Sequence, residues 1–393
     1  MPKLSEIFML QMGKTPARAK NEYWNNVDND WVSISDLSTY GKYVGETKET
    51  ISDLAVKESG IKAAPADTVI MSFKLTLGKT AITVRPTYTN EAIMAFIPNG
   101  NYPVHASYFY HFFAGRDWSS GTNRAVMGTT LNKATLSEIE IPVPSITEQI
   151  ESAKCLDKID SLISLRKQQL AKLDKLVKAR FVELFGDPET NPYKWSISKL
   201  SEFCDLQNGY AFKSQDYLDD SSVLNCRMSN IRPDGGFDAE YHPKYLPDTF
   251  WEKYKEYRLA DGDVIIAMTD MASDPKILGV PTIVRTNGKK FLLNQRVGKL
   301  TFYADKTINN VYLMFVLSQK HIRQQLVKSA GGSTQINVGK PAVLGVEFFV
   351  PPAELQEQFA AFVEQTDKSK SAIQQSLEKL ETLKAALMQK YFG

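Results

Sequence analysis

Two stretches of the chain place apolar residues at alternating three- and four-residue spacings, each over about 40 positions. In the first, Leu156, Ile159, Ile163, Leu170, Leu173, Val177 and Leu184 form the seam, with Arg166 and Arg180 interrupting it. In the second it is Val363, Thr366, Ile373, Leu377, Leu380, Leu387 and Tyr391, interrupted by Lys370 and Lys384. This spacing predicts two long amphipathic helices of the coiled-coil kind. Pro144 and the capping box Ser145-Ile146-Thr147-Glu148 mark the start of the first. Gly186 and Pro188 mark its end. Helices of this length exceed the usual globular helix roughly threefold. A helix cannot bury its own stripe, so each is expected to cover the other.

Elsewhere the periodicity shortens. Ala81-Ile82-Thr83-Val84 and Val280-Pro281-Thr282-Ile283-Val284 read as strands, and Tyr108 to Phe113 and Val311 to Leu317 as helices. Asp67-Thr68-Val69-Ile70 and Asp263-Val264-Ile265-Ile266 each read as a buried strand after a turn. The expectation is α+β, with loops carrying specificity.

A shift of 207 residues superposes the two helical stretches without a gap. Glu140, Val143, Pro144, Gln149 and Asp160 fall on Glu347, Val350, Pro351, Gln356 and Asp367. Gln168, Leu170, Lys172, Leu173, Leu176 and Ala179 fall on Gln375, Leu377, Lys379, Leu380, Leu383 and Ala386, and Phe185-Gly186 on Phe392-Gly393. The preceding regions echo each other more faintly. Leu4-Ser5-Glu6 matches Leu200-Ser201-Glu202, Gln11-Met12-Gly13 matches Gln207-Asn208-Gly209, and Thr89-Asn90-Glu91 resembles Leu293-Asn294-Gln295. Gly128-Thr129-Thr130-Leu131-Asn132 resembles Gly332 to Asn337, each before an apolar strand ending in proline. The expected order is a domain over 1–145, a helix over 146–186, a second domain over 187–350 and a second helix over 351–393: one scaffold with two loop sets. Antiparallel pairing of the helices would relate the two similar α/β domains by a pseudo-twofold axis.

Composition narrows the chemistry. Net charge is +2; residues 1–145 carry 14 basic and 14 acidic side chains, and residues 187–352 carry 20 and 19. A protein held to nucleic acid by charge alone would be far more basic, so any basic surface must be local or shared with a partner. Cys155, Cys204 and Cys226 give no disulfide framework, and a reducing cytoplasm is the expected location. No apolar run has the length of a membrane span. There is no Gly-rich phosphate loop, zinc spacing or nucleophile elbow, and His105, His111, His242 and His321 are scattered. Asn191-Pro192-Tyr193 is similar to an adenine-methyltransferase motif but lacks a proline and an upstream cofactor loop, so it reads as a polar turn. Pro247-Asp248 with Asp274-Pro275-Lys276 fits a loose metal-nuclease pattern, against which the second proline argues. No catalytic or metal-ligating residue is expected.

Amides, hydroxyls and arginines on glycine-marked loops suit base edges, and lysines suit phosphates. The first domain offers Gln11, Lys14, Arg18, Lys74, Lys79, Asn123, Arg124 and Lys133. The second offers Tyr210, Lys213, Arg232, Asn294, Gln295, Arg296, Thr334, Gln335 and Lys340.

The whole pattern resembles the specificity subunit of type I restriction–modification systems. It is carried by Ile141-Pro142-Val143-Pro144 leading to Glu148-Gln149, and by Phe349-Val350-Pro351-Pro352 leading to Glu357-Gln358, each before a long helix. Phe185-Gly186-Asp187-Pro188 and Tyr391-Phe392-Gly393 close the helices. The resemblance implies two target-recognition domains, each reading half of a bipartite double-stranded DNA site, separated by two antiparallel helices. It implies a non-catalytic subunit that holds two methyltransferase subunits and recruits restriction subunits. S-adenosylmethionine, ATP and Mg would then belong to those partners. The alternative is a non-enzymatic scaffold whose tandem domains bind proteins.

Overall fold

The computed structural model describes all residues except 75, 119–122, 126, 127 and 306, and the side chains of all but these and 25–27, 123–125 and 128–130. Contacts gather into two compact units, Met1–Gln169 with Ile373–Gly393, and Leu170–Ala372.

In the first unit the strands Phe8–Met12, Ile93–Pro98, Val69–Ser72 and Thr80–Ile82 form an antiparallel sheet in that order. Val69–Ser72 is buried along its whole length, as expected of a central strand covered on both faces. One face packs on the helix Ala106–Gly115 through Phe8, Phe96, Phe109 and Phe113. In the second unit Cys204–Asn208, Val297–Phe302, Val264–Ala267 and Pro281–Ile283 follow the same order, again antiparallel. Here the covering helix is Asn310–Leu317. Each unit adds a parallel strand pair, Trp31-Val32 beside Tyr88-Thr89 and Val223–Cys226 beside Lys290–Leu293. Cys204 and Cys226 are free and buried, and burial pushes both thiols up, that of Cys204 to about 12.

Several elements are shorter than their apolar runs. The run Ala81 to Val84 is a strand only to Ile82; Thr83 still pairs through its backbone with Thr68 O and Asp67 N–H, and its hydroxyl donates to Pro65 O and accepts from Thr68 N–H. Val280 to Val284 narrows to Pro281–Ile283. The segment before Pro144, expected as a strand, holds one isolated bridge, Lys3 to Glu140. Its counterpart Glu347–Val350 does pair, with Ser196–Lys199.

The long helices are Ile146–Phe185 and Ala353–Phe392, 40 residues each. The capping box forms: Ser145 N–H donates to Glu148 Oε2 at 2.9 Å and Glu148 N–H to Ser145 Oγ at 3.3 Å. Gly186, at φ +81°, ends the first helix in the left-handed region that glycine adopts without strain. In the first unit Asp160 meets Lys384 at 2.5 Å and Lys167 meets Glu381 at 3.2 Å, so the two helical segments run antiparallel. In the second unit Asp174 meets Lys370 at 2.7 Å and Phe181 packs on Phe359, again antiparallel. Every apolar position of the two seams is buried or half-buried, with Leu156, Ile159, Val177 and Leu377 fully buried. The charged interruptions are engaged as well: Lys384 and Lys370 by the aspartates just named, and Arg180 by Glu183. No helix among the described residues is long and apolar enough to cross a membrane.

Candidate functional site

The sharpest structural repeat lies where a sheet edge meets the parallel strand pair. Gly13 N–H donates to Ile93 O and Lys14 N–H to Thr89 O at 2.8 Å. In the second unit Tyr210 N–H donates to Leu293 O at 2.9 Å. A Cβ on Gly13 would lie 2.2 Å from Thr89 O, and one on Gly209 2.2 Å from Asn294 O, so both positions exclude any side chain. Asn90 Oδ1 accepts from Ala92 N–H and Asn294 Oδ1 from Arg296 N–H, the side-chain-to-backbone turn that asparagine favours. Gln11 donates to Lys62 O and Ala63 O, and Gln207 to Glu256 O. The frame is thus the same in both units, while the residues it presents differ. Glu91 and Ala92 stand in the first unit where Gln295 and Arg296 stand in the second.

This geometry sorts the residues offered as DNA readers. Asn294 is buried and its amide oxygen holds the turn, so it is a structural residue. Gln11 likewise spends its amide on loop carbonyls. Arg18 forks onto Glu49 at 2.5 and 3.0 Å and lies 3.7 Å from the Trp24 ring centre. Arg232 pairs with Asp238 at 2.7 Å over Tyr241, and Lys340 with Asp205 at 2.7 Å. Lys14 donates to Ser59 O, and Lys74 lies against the Phe73 ring. Lys79, Lys133, Lys213 and Thr334 are exposed, and Gln335 is half-buried in a short strand pair with Met271. The side chains of Asn123 and Arg124 lie outside the described residues. Tyr210, Gln295 and Arg296 come together: Gln295 N–H donates to Tyr210 O at 3.0 Å. Tyr210 packs at tilted angles in an aromatic group with Phe212, Tyr254 and Tyr257. Arg227 and Ser229 join this group across a concavity, although 66 or more positions separate them from Gln295 in the chain. The sequence reading missed them because the parallel pairing that brings them there is non-local.

The catalytic alternatives find no support in placement. Asp248 accepts from the hydroxyls of Ser221 and Ser222, while Asp274 and Lys276 pair with each other on an exposed turn. Asn191 bonds both backbone groups of Trp195, as a turn residue does. Among the described residues no group of acidic, histidine and cysteine side chains has the shape of a metal site. His111 is buried, with Nε2 2.8 Å from Asp157 Oδ1; burial holds its imidazole below the usual range.

Each domain is fastened to the long helix that follows it by one buried glutamine. Gln149 accepts from His105 N–H at 2.9 Å and donates to Pro103 O and Pro144 O. Gln356 accepts from Asn309 N–H at 2.9 Å and donates to Pro351 O. The outer faces of the helices repeat too. Ser164, Gln168, Lys172, Leu176 and Ala179 are all exposed, as are the identical Ser371, Gln375, Lys379, Leu383 and Ala386. These positions fall on one stripe of a helix of 3.6 residues per turn. Among the described residues nothing covers the two leucines, which are 49% and 48% exposed.

Comparison with known proteins agrees with this architecture. The MjaVIII type I restriction enzyme specificity subunit of Methanocaldococcus jannaschii is 26% identical over 273 residues, 66% of this chain and 62% of that protein. The EcoR124I/EcoR124II specificity subunit of Escherichia coli is 31% identical over 168 residues, 40% of each chain. The match spans about three fifths of the length of the M. jannaschii relatives. In fold, the chain is similar to the type I restriction–modification S subunit of M. genitalium, with a TM-score of 0.58 and 12% identity over 100% of this chain and 95% of that one. A chain from a study of complex assembly and conformational transition in the type I system gives 0.58 and 16% over 99% and 96%. With the family model for the type I restriction modification DNA specificity domain matched over residues 1–175 and 192–383, the chain belongs to that family.

Proposed function

We propose that the chain is the DNA-reading subunit of a type I restriction–modification complex, each domain reading one half of a bipartite, asymmetric site. One observation carries this reading: a duplicated glycine–asparagine junction presents Glu91-Ala92 in one unit and Gln295-Arg296 in the other. Two frames of one design with different polar groups suit two different base sequences. The chain itself is non-catalytic, and S-adenosylmethionine, ATP and Mg belong to its partners. Near-neutral charge accords with this, since partners would share the phosphate contacts.

The repeated outer stripe supports two equivalent docking sites for two methyltransferase subunits. A duplicated chain has no folding reason to keep identical solvent-facing residues, whereas two copies of one partner supply a reason. Changing Leu176 and Leu383 to Asp should leave the fold intact, because neither side chain is buried. It should weaken partner binding by about tenfold or more per site, the scale of a central apolar contact. Calorimetric titration with the methyltransferase subunit measures this; unchanged affinity in both variants would remove the stripe from the interface.

The reading is tested by mapping modified adenines in cells that carry the methyltransferase subunit, with and without this chain. A two-part motif should depend on the chain, and the purified chain alone should transfer no methyl group and make no cut. A map that is the same in both cells would refute the reading and favour a protein-binding scaffold.

A further inference from the structure

The second unit holds a concavity of about 300 Å³ walled by Phe212 and Tyr217 and lined by Arg227, Ser229, Gln295 and Arg296. Arginines in this unit are otherwise engaged. Arg180, Arg232, Arg258 and Arg285 face Glu183, Asp238, Glu252 and Asp261, and Arg323 donates to Leu278 O and Pro275 O. Among the described residues, the guanidinium groups of Arg227 and Arg296 have no hydrogen-bond or carboxylate partner, and both line this one cavity. The Ser229 hydroxyl is buried there and also lacks a partner. Buried polar atoms without partners are uncommon in folded proteins and ask for an explanation, an absent ligand being one.

The backbones that carry these groups are fixed. Arg227 N–H donates to Asn230 Oδ1 at 2.8 Å. Arg296 N–H donates to Asn294 Oδ1, and its carbonyl accepts from Met268 N–H at 2.9 Å. Tyr217 is held by Asn225, whose Nδ2 donates to the phenol oxygen at 3.0 Å. The cavity therefore offers two free, planar, five-donor groups and one free hydroxyl between aromatic walls on an ordered frame. Among the bases, guanine presents two adjacent acceptors, O6 and N7, in the major groove, and a guanidinium fork matches them.

We infer that Arg227 and Arg296 each read a G·C pair in the half-site recognised by the second domain, an assignment that rests on the DNA-reading function proposed above. The equivalent junction of the first unit carries Ala92 in place of Arg296, so the device is confined to the second half-site. A phosphate contact would also use arginine, but it carries no sequence information. The two are separated by how a variant fails.

The experiment maps modified adenines with the full chain in its methyltransferase complex, as wild type and as Arg227→Ala, Arg296→Ala and Arg296→Lys. Among the described residues neither guanidinium makes a hydrogen bond or an ion pair that holds the fold, and thermal unfolding of each variant checks that. The wild-type motif should contain G·C in the second half-site. Each alanine variant should relax one such position by about tenfold or more and leave the first half-site unchanged. Arg296→Lys keeps the charge but loses the fork, so it should keep affinity and lose discrimination. A second half-site without G·C, unchanged motifs, or a uniform loss over all sequences as for a phosphate contact would each overturn the inference. A wild-type chain that directs no modification would instead defeat the reading beneath it, and the inference with it.

Discussion

Replacing Phe181 by alanine should lower the unfolding free energy of the 170–372 unit by about 3–5 kcal/mol. Phe181 is 1% exposed and sits where both long helices meet the domain. Its ring lies 4.5 Å from Phe315 of the domain helix and 5.5 Å from Phe359 of the second long helix, with Tyr312 and Phe349 beyond. Removing the ring forfeits its transfer from water and leaves a cavity bordered by three elements, none free to collapse without dragging the others. Phe181→Leu keeps most of the volume and should cost less. Denaturant titration with circular dichroism reads the difference; a loss below about 1 kcal/mol for the alanine variant would mean that this cluster does not anchor the domain.

Lengthening both helices by one heptad should widen the gap between the two half-sites by about three base pairs. The insertions go after Gln169 and after Ala372, where each helix passes from one compact unit to the other. Seven residues preserve the three–four spacing of the seam and add about 10 Å at 1.5 Å per residue. At roughly 3.4 Å per base pair that is close to three pairs, less whatever DNA twisting must absorb to realign the second half-site. Mapping the modified motif of the lengthened complex decides this. The half-site sequences should persist, since no junction residue is touched. An active complex that keeps its original gap would show that the helices do not set it.

Much of the architecture was legible because it rests on patterns that survive in one dimension. The 207-residue shift and the three–four seams mark the helices. The Gln-x-Gly and Asn-containing matches mark the junction, because a close backbone approach admits only glycine and a side-chain turn favours asparagine. The direction of polar side chains was not legible. Nothing in the sequence distinguishes Asn294, turned inward to hold a turn, from Gln295, turned outward one residue later. Nor does the sequence show that Arg18 and Arg232 pair with Glu49 and Asp238. Phe181 and Phe359 lay off the expected seam because the helices bury a second face, against the domain, that a two-helix pattern does not anticipate. Arg227 follows a buried strand and meets Arg296 only through parallel pairing, a contact that local periodicity does not encode.

The central claim is that each domain reads its own half-site on a shared scaffold. It is tested most directly by exchanging residues 1–145 for the corresponding domain of a relative whose target is known, and mapping modified adenines with the hybrid complex. The account predicts a motif in which one half becomes that of the donor while the other half and the gap stay as they were. A hybrid that folds and modifies DNA but changes both halves, or neither, would contradict it.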